Sequence, residues 1–360
     1  MKFSLNKVRL MIDSLIDQLP WLVSKRLRQI FPVKQGYYHV LRESPLIILI
    51  PEDFNDDIDL WSIFFDALAG VEVVFVCLIR GALESGGEVG FDNTLKDFKQ
   101  QQLTYPEHRL IYLANNQEQL DGLTKRSLPA IFFNQNAIID ERLFTYMPEI
   151  QKKYSAIYNA LMAPYKRHYL TYDIKDLALI TAVKNSSGEK LLAETKESLR
   201  GASWLNFPNN DVQVDNYQNI PQKDLATHLN LARAGLCLSK LEGAMFASIE
   251  YLLCGLPIVS TYSSGGRDIF FEEDYVVLVD DNSAAVKVGL DMILDRDISG
   301  EFIRARTIEK INQHRYYLVK LIQDECTAKG QTVSEQELYD SIFPSQIYSL
   351  KKFYSILKYS

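Results

Sequence analysis

Leu238-Ser239-Lys240-Leu241-Glu242-Gly243-Ala244-Met245-Phe246-Ala247-Ser248-Ile249-Glu250 runs on into Tyr251-Leu252-Leu253-Cys254-Gly255-Leu256-Pro257-Ile258-Val259-Ser260. The apolar run Ala234–Leu238 predicts a strand that ends in a short polar loop holding Glu242. Gly243 is expected to open a helix. Gly255 and Pro257 close it: glycine accepts the left-handed backbone of a helix end, and proline cannot continue the helix. A new strand begins at Ile258.

Strand, helix and strand in that order form one βαβ unit of a parallel sheet. In open sheets of this kind ligands bind beyond the carboxyl ends of the strands, where the N–H groups and positive dipole end of the next helix favour phosphate. The start of the Gly243 helix lies there, and Gly243 has no side chain to obstruct a diphosphate. Glu242 and Glu250 flank it. Carboxylates do not bind phosphate but accept hydrogen bonds from paired hydroxyls, so a ligand with a central diphosphate and a sugar at each end suits both.

Outward from this unit, strand-like runs alternate with helical patterns. The later series is Leu177–Val183, Ser203–Phe207, Ala234–Leu238, Pro257–Ser260 and Tyr275–Val279, with helices over Asp224–Arg233, Gly243–Cys254 and Ser283–Leu294. The earlier series is Leu46–Pro51, Val71–Ile79, His108–Leu113 and Pro129–Phe133, with helices over Leu60–Leu68 and Gln117–Lys125. Gly81–Pro106 reads as a long loop with one helix at most, and the chain from Phe302 as charged helix broken by Gly330 and Pro344. The expectation is an α/β protein with two doubly wound, Rossmann-like domains and a helical C-terminal tail. The segments are a basic amphipathic stretch over 1–31, a first domain over 32–165, a second over 166–300, and helices packing back over 301–360.

The central stretch resembles the donor site of retaining glycosyltransferases of the GT-B fold, glycosyltransferase family 4 in particular. That family has Glu, seven residues and Glu, then a helix end of the form Gly-x-Pro-(Val/Ile)-Val. Glu242, Glu250 and Gly255-Leu256-Pro257-Ile258-Val259 match it. Ser264-Gly265-Gly266-Arg267-Asp268 is similar to the Gly-Gly turn that follows, with Asp where Glu is commoner. The resemblance covers roughly 220–294 and implies two domains facing across a cleft. It also implies that Glu242 contacts donor-sugar hydroxyls, that Glu250 grips the ribose, and that Gly243, Ala244, Met245, Gly265 and Gly266 line the donor.

Family members stabilise the leaving nucleoside diphosphate with an Arg and a Lys after the first strand of the C-terminal domain. With Leu177–Val183 taken as that strand, Lys184 and Lys190 occupy these places, Lys184 departing from the usual Arg. The segment Ser155–His168 reads as a linker. Its Asn159-Ala160 looks like the family's Asn-Gly without the Gly. Its cluster Lys166-Arg167-His168 suits either an anion or a solvated surface.

Composition excludes other classes. The 360 residues carry a formal net charge of −7, unsuited to general nucleic-acid binding. Only residues 1–31 are basic, with Lys2, Lys7, Arg9, Lys25, Arg26 and Arg28 against Asp13 and Asp17, interleaved with apolar residues and Trp21. Such a segment either packs on its own domain or rests on an anionic membrane surface. Cys77, Cys237, Cys254 and Cys326 form no metal-binding spacing, and a reducing compartment is expected. Asp57-Ile58-Asp59 is read as a helix start in place of a metal-binding D-x-D. No Walker phosphate loop and no full G-x-G-x-x-G occurs, which weighs against nucleotide hydrolases and NAD enzymes.

The reading is a cytoplasmic, metal-independent hexosyltransferase-type enzyme without cofactor. It would use a UDP- or GDP-sugar as substrate, follow the retaining course, and serve an unassigned glycan, lipid or protein acceptor. A sugar-nucleotide epimerase and a catalytically silent binding protein are the rivals. The second draws on the first half of the chain, where Pro51-Glu52-Asp53 stands in place of a glycine-rich loop.

Overall fold

A computed structural model describes residues 11–12, 14–16, 18, 37–50, 58–79, 81–343 and 351–352. The basic segment 1–31 falls almost wholly outside them, as do Pro51-Glu52-Asp53 and Asp57. The chain divides into two compact units, one of residues 1–138 and 315–360 and one of residues 139–314.

The first unit contains β1 (Tyr37–Glu43), β2 (Leu46–Ile50), α1 (Ile58–Ala67), β3 (Val73–Leu78), α2 (Gly87–Thr104), β4 (His108–Ala114), α3 (Gln117–Thr124) and β5 (Ala130–Phe132). β1 and β2 are antiparallel; β2, β3, β4 and β5 are parallel neighbours in chain order, and Lys351–Lys352 pairs with the outer edge of β1. β2 and β3 are buried along their whole length, as continuous apolar runs in a covered parallel sheet must be. Phe64 and Phe65 of α1 pack edge-on against Phe75 of β3. α2 is the one helix that the reading of Gly81–Pro106 allows, and it takes up most of that stretch. Of its 18 residues only Phe91, Thr94 and Gln101 are buried, too faint a stripe to register as helical periodicity.

The second unit holds β6 (Tyr154–Leu161), β7 (Leu177–Ala182), α4 (Ser186–Ser198), β8 (Ser203–Trp204), α5 (Gln222–Leu229), β9 (Ala232–Cys237), β10 (Leu241–Glu242), α6 (Phe246–Leu253), β11 (Ile258–Thr261), β12 (Ser264–Gly265), β13 (Val276–Val279) and α7 (Ser283–Leu294). Its main sheet has the order β13-β11-β9-β6-β7-β8, all parallel. The chain winds outward from β6 through β7 to β8, then returns to β9 on the other side. This is the doubly wound order, with its switch point between β6 and β9. Asn185 and Asn282 cap α4 and α7, their side chains accepting from the N–H groups of Gly188 (2.9 Å) and Ala285 (2.8 Å).

The expected boundary near residue 165 is therefore displaced. Residues 139–165 belong to the second unit, and β6, read as a linker, is a central strand of its sheet. The sequence Tyr-Ser-Ala-Ile-Tyr-Asn-Ala-Leu lacks a run of bulky aliphatics and does not alternate cleanly. Its place in the sheet comes from pairing with β7 and β9, strands distant in the chain, which no local pattern announces. The tail is also shared between the units. α8 (Gly300–Ala328) starts in the second and ends in the first, and α9 (Glu335–Ile342) follows the turn at Gly330, whose φ is +73°. Among the described residues no helix is long and apolar enough to cross a membrane.

Candidate active site

The ladder between β6 and β9 ends at Ile157–Gly235, whereas β6 stays paired to β7 as far as Leu161–Ala182. The two central strands part at their carboxyl ends, and the gap is filled from α6. The backbone N–H of Asn159 donates to Tyr251 Oη at 2.6 Å, and Asn159 Nδ2 donates to Glu250 Oε2 at 3.2 Å. Gly235 has to be glycine: a Cβ there would stand 2.4 Å from the Tyr251 ring. Glu250 is 9% exposed, and burial pushes its carboxyl up to about 7 against the smaller opposing pull of Asn159.

α6 ends as the sequence predicts. Gly255 is left-handed, its N–H donates to Leu252 O at 3.0 Å, and Leu256 N–H donates to Tyr251 O at 2.9 Å. The helix start differs from the expectation. Met245 is the N-cap and Phe246 the first helical residue, so Gly243, Ala244 and Met245 connect β10 to α6 and do not form its first turn. β10 pairs in parallel with β12, matching Leu241 with Ser264 and Glu242 with Gly265. Gly266 N–H donates to Gly243 O at 2.8 Å. The Glu-Gly and Gly-Gly signals, some twenty positions apart, are thus neighbours in space.

The cation beside Glu242 is Lys166. The chain leaving β6 makes a tight turn over Pro164–Lys166, and Arg167 adopts a left-handed backbone with φ +54°. The Tyr158 hydroxyl donates to the Lys166 carbonyl, and Lys166 Nζ forms an ion pair with Glu242 Oε1. The Lys166 and Glu242 side chains are 11% and 13% exposed, so this pair is largely out of water. Arg167 is occupied otherwise. Its Nε donates to Leu238 O (2.6 Å), one terminal nitrogen to Thr261 Oγ1 (2.6 Å), and the other lies 2.7 Å from Asp281 Oδ2. Arg267, fully buried, donates to the carbonyls of Cys237 (3.1 Å), Ser239 (2.6 Å) and Thr261 and to Ser260 Oγ (2.7 Å), with Asp268 as its counter-ion. The two arginines brace the carboxyl ends of β9 and β11 and leave Lys166 beside the carboxylate. His168 is buried against Tyr158. Burial, helped by the Lys166 charge, takes its imidazole down to about 4, so it is neutral at physiological pH. The Ala160 carbonyl pulls slightly the other way without closing a hydrogen bond.

Glu242, Gly243, Ala244, Met245, Gly265 and Gly266 therefore form one locus, and Glu250 lies in the adjoining gap between β6 and β9. Lys184 and Lys190 are not brought to it by any contact. Lys184 is exposed just beyond β7, and Lys190 is exposed on α4, 4.0 Å from Glu194. The first strand of the sheet is β6, so the positions that follow a first strand are Lys166 and Arg167. The cluster Lys166-Arg167-His168 was visible in the sequence; its burial was not. Arg267 and Asp281 carried no sequence signal of their roles.

No family model and no curated protein matches the sequence. Solved structures do. Sucrose-phosphate synthase from Thermosynechococcus elongatus is similar at 12% identity with a TM-score of 0.55, over 78% of this chain and 74% of that one. Anabaena HepE in complex with UDP is similar at 12% identity and 0.53, over 77% and 78%. The pneumococcal O-GlcNAc transferase GtfA, in complex with UDP and GlcNAc, is similar at 10% identity and 0.50, over 77% and 57%. The chain spans half the length of the TarM chain that it also matches. The fold is that of the GT-B glycosyltransferases.

Glu250 has a pH signature in stability. The unfolded chain releases this proton near 4.5, whereas the folded protein keeps it to about pH 7. Stability from this group is complete below pH 4.5, falls as pH rises through 7, and is then flat at a cost of roughly 3 kcal/mol. Glu250→Gln should remove this slope, so the variant gains on the wild type between pH 4.5 and 7 in urea titrations. Parallel curves over that interval would refute a buried, proton-holding Glu250.

Proposed function

We propose that this protein is a glycosyltransferase that takes a sugar from a UDP- or GDP-sugar and passes it to a glycan, lipid-linked or protein acceptor. The observation that carries this reading is the buried Lys166–Glu242 pair at the switch point, with Glu250 in the same gap. Glu242 accepts hydroxyls of the donor sugar, and Glu250, ionised when they bind, accepts the ribose hydroxyls. Lys166 supplies positive charge to the departing nucleoside diphosphate, the role that the family resemblance assigns to Lys184 and Lys190. Gly243, Ala244, Met245, Gly265 and Gly266 let the donor approach the backbone.

Catalysis would rest on positioning and charge stabilisation. With a lysine as the counter-charge, no bound metal is needed, and departure on the face where the acceptor attacks gives retention. Four buried cysteines outside any disulfide suit the cytoplasm, and the basic segment 1–31 offers peripheral contact with an anionic membrane.

The test is a melting panel with UDP, GDP and ADP, followed by incubation with the sugar conjugate of whichever binds. A ligand at a hundred times its Kd adds about 2.7 kcal/mol and raises Tm by several degrees. Slow release of free sugar, lost in Glu242→Ala, supports the transferase. Conversion of the donor without release indicates an epimerase, and no shift with any nucleotide overturns the reading.

A further inference from the structure

Residues 166–168 of the turn after β6 are all buried: Lys166 is 9%, Arg167 7% and His168 3% exposed. Tyr165, immediately before them, is 49% exposed. Its ring is not remote from the site. Lys166 Nζ lies 5.2 Å from the ring centroid, and the same ammonium is paired with Glu242. Partial burial and the Glu242 charge hold the Tyr165 phenol above its ordinary range, which reports the same proximity. Carboxylate, ammonium and half-open aromatic ring are one contiguous group.

The backbone that carries the ring is also held in advance of any ligand. Pro164 sets the entry to the turn, the left-handed Arg167 sets the exit, and Tyr158 anchors the Lys166 carbonyl from below. An aromatic face beside an acceptor of hydroxyl hydrogen bonds has the two chemistries that a pyranose requires. Its hydroxyls need a carboxylate, and its C–H face needs a flat apolar partner.

We propose that Tyr165 is the platform on which the transferred sugar lies, and that it sets donor-sugar affinity while contributing nothing to the nucleotide. This rests on the nucleotide-sugar reading above. The ring, not the hydroxyl, is the working part, since the hydroxyls of the sugar are satisfied by Glu242.

Calorimetric titration of wild type, Tyr165→Ala and Tyr165→Phe with UDP, UDP-glucose, GDP and GDP-mannose tests it. For the pair that binds, Tyr165→Ala should raise the Kd of the nucleotide sugar about tenfold, the scale of one aromatic contact. It should leave the Kd of the nucleoside diphosphate within about twofold, and Tyr165→Phe should match the wild type in both. A half-exposed ring can be truncated without unfolding, and an unchanged nucleoside diphosphate Kd doubles as the check on folding. Equal loss for both ligands, or no loss for either, overturns the platform alone. Wild-type protein that binds neither pair overturns the nucleotide-sugar reading and the platform with it.

Discussion

Lys166→Met should lower donor turnover by about 10²–10³-fold, the usual loss when one fixed group facing a developing anion is removed. It should also destabilise the second unit by roughly 3–5 kcal/mol, because Glu242 would be left in a buried place without its partner. The two effects have different cures. Adding Glu242→Gln removes the stranded carboxyl group, so the Lys166→Met, Glu242→Gln double variant should recover most of the stability and none of the turnover. Urea titration and nucleotide-sugar hydrolysis, measured on the same preparations, separate them. Because Glu242→Gln itself lowers turnover, the catalytic role is judged on Lys166→Met alone, assayed where urea titration shows it fully folded: wild-type turnover there would make Lys166 a structural cation and leave the departing group to be stabilised by something else.

Glu242→Gln alone carries the opposite-signed prediction. Turnover should fall by a similar factor, since the charged acceptor of sugar hydroxyls is gone. Affinity for the nucleoside diphosphate should nevertheless rise, by about ten- to a hundredfold. In the free protein the Lys166 ammonium is committed to Glu242, and a diphosphate has to draw it away. Without the carboxylate that competition ends, and one charge-assisted hydrogen bond becomes available at about 1.5–3 kcal/mol. Arg167 and Arg267 cannot mimic the effect, being held by backbone carbonyls, hydroxyls and their own carboxylates. Calorimetry with the diphosphate decides it: unchanged or weaker binding would mean that Lys166 does not reach the phosphates.

Local signals account for much of the second unit. α7 spans Ser283–Leu294, the bounds its periodicity predicts, with Asn282 as its cap. The end of α6 at Gly255 follows from one left-handed glycine and one proline. The start of α6 was misplaced by three residues because Glu242 is drawn into a strand with Gly265, a pairing that no local pattern announces. α5 was overrun for a related reason: Ala232 and Arg233, plausible as helix, begin β9 instead, between β6 and β11.

From the sequence by itself came the alternation of strands and helices, the Glu242–Glu250 spacing on one turn-and-helix unit, and the glycines that let a ligand near the backbone. These depend on neighbours a few positions away, and their physics is that of propensity, capping and turn chemistry. Only the tertiary structure decided which cation meets Glu242. That choice depends on which strand is central in the sheet. Because β6 takes that place, its following turn buries Lys166 against the carboxylate while Lys184 and Lys190, one strand further out, stay in water.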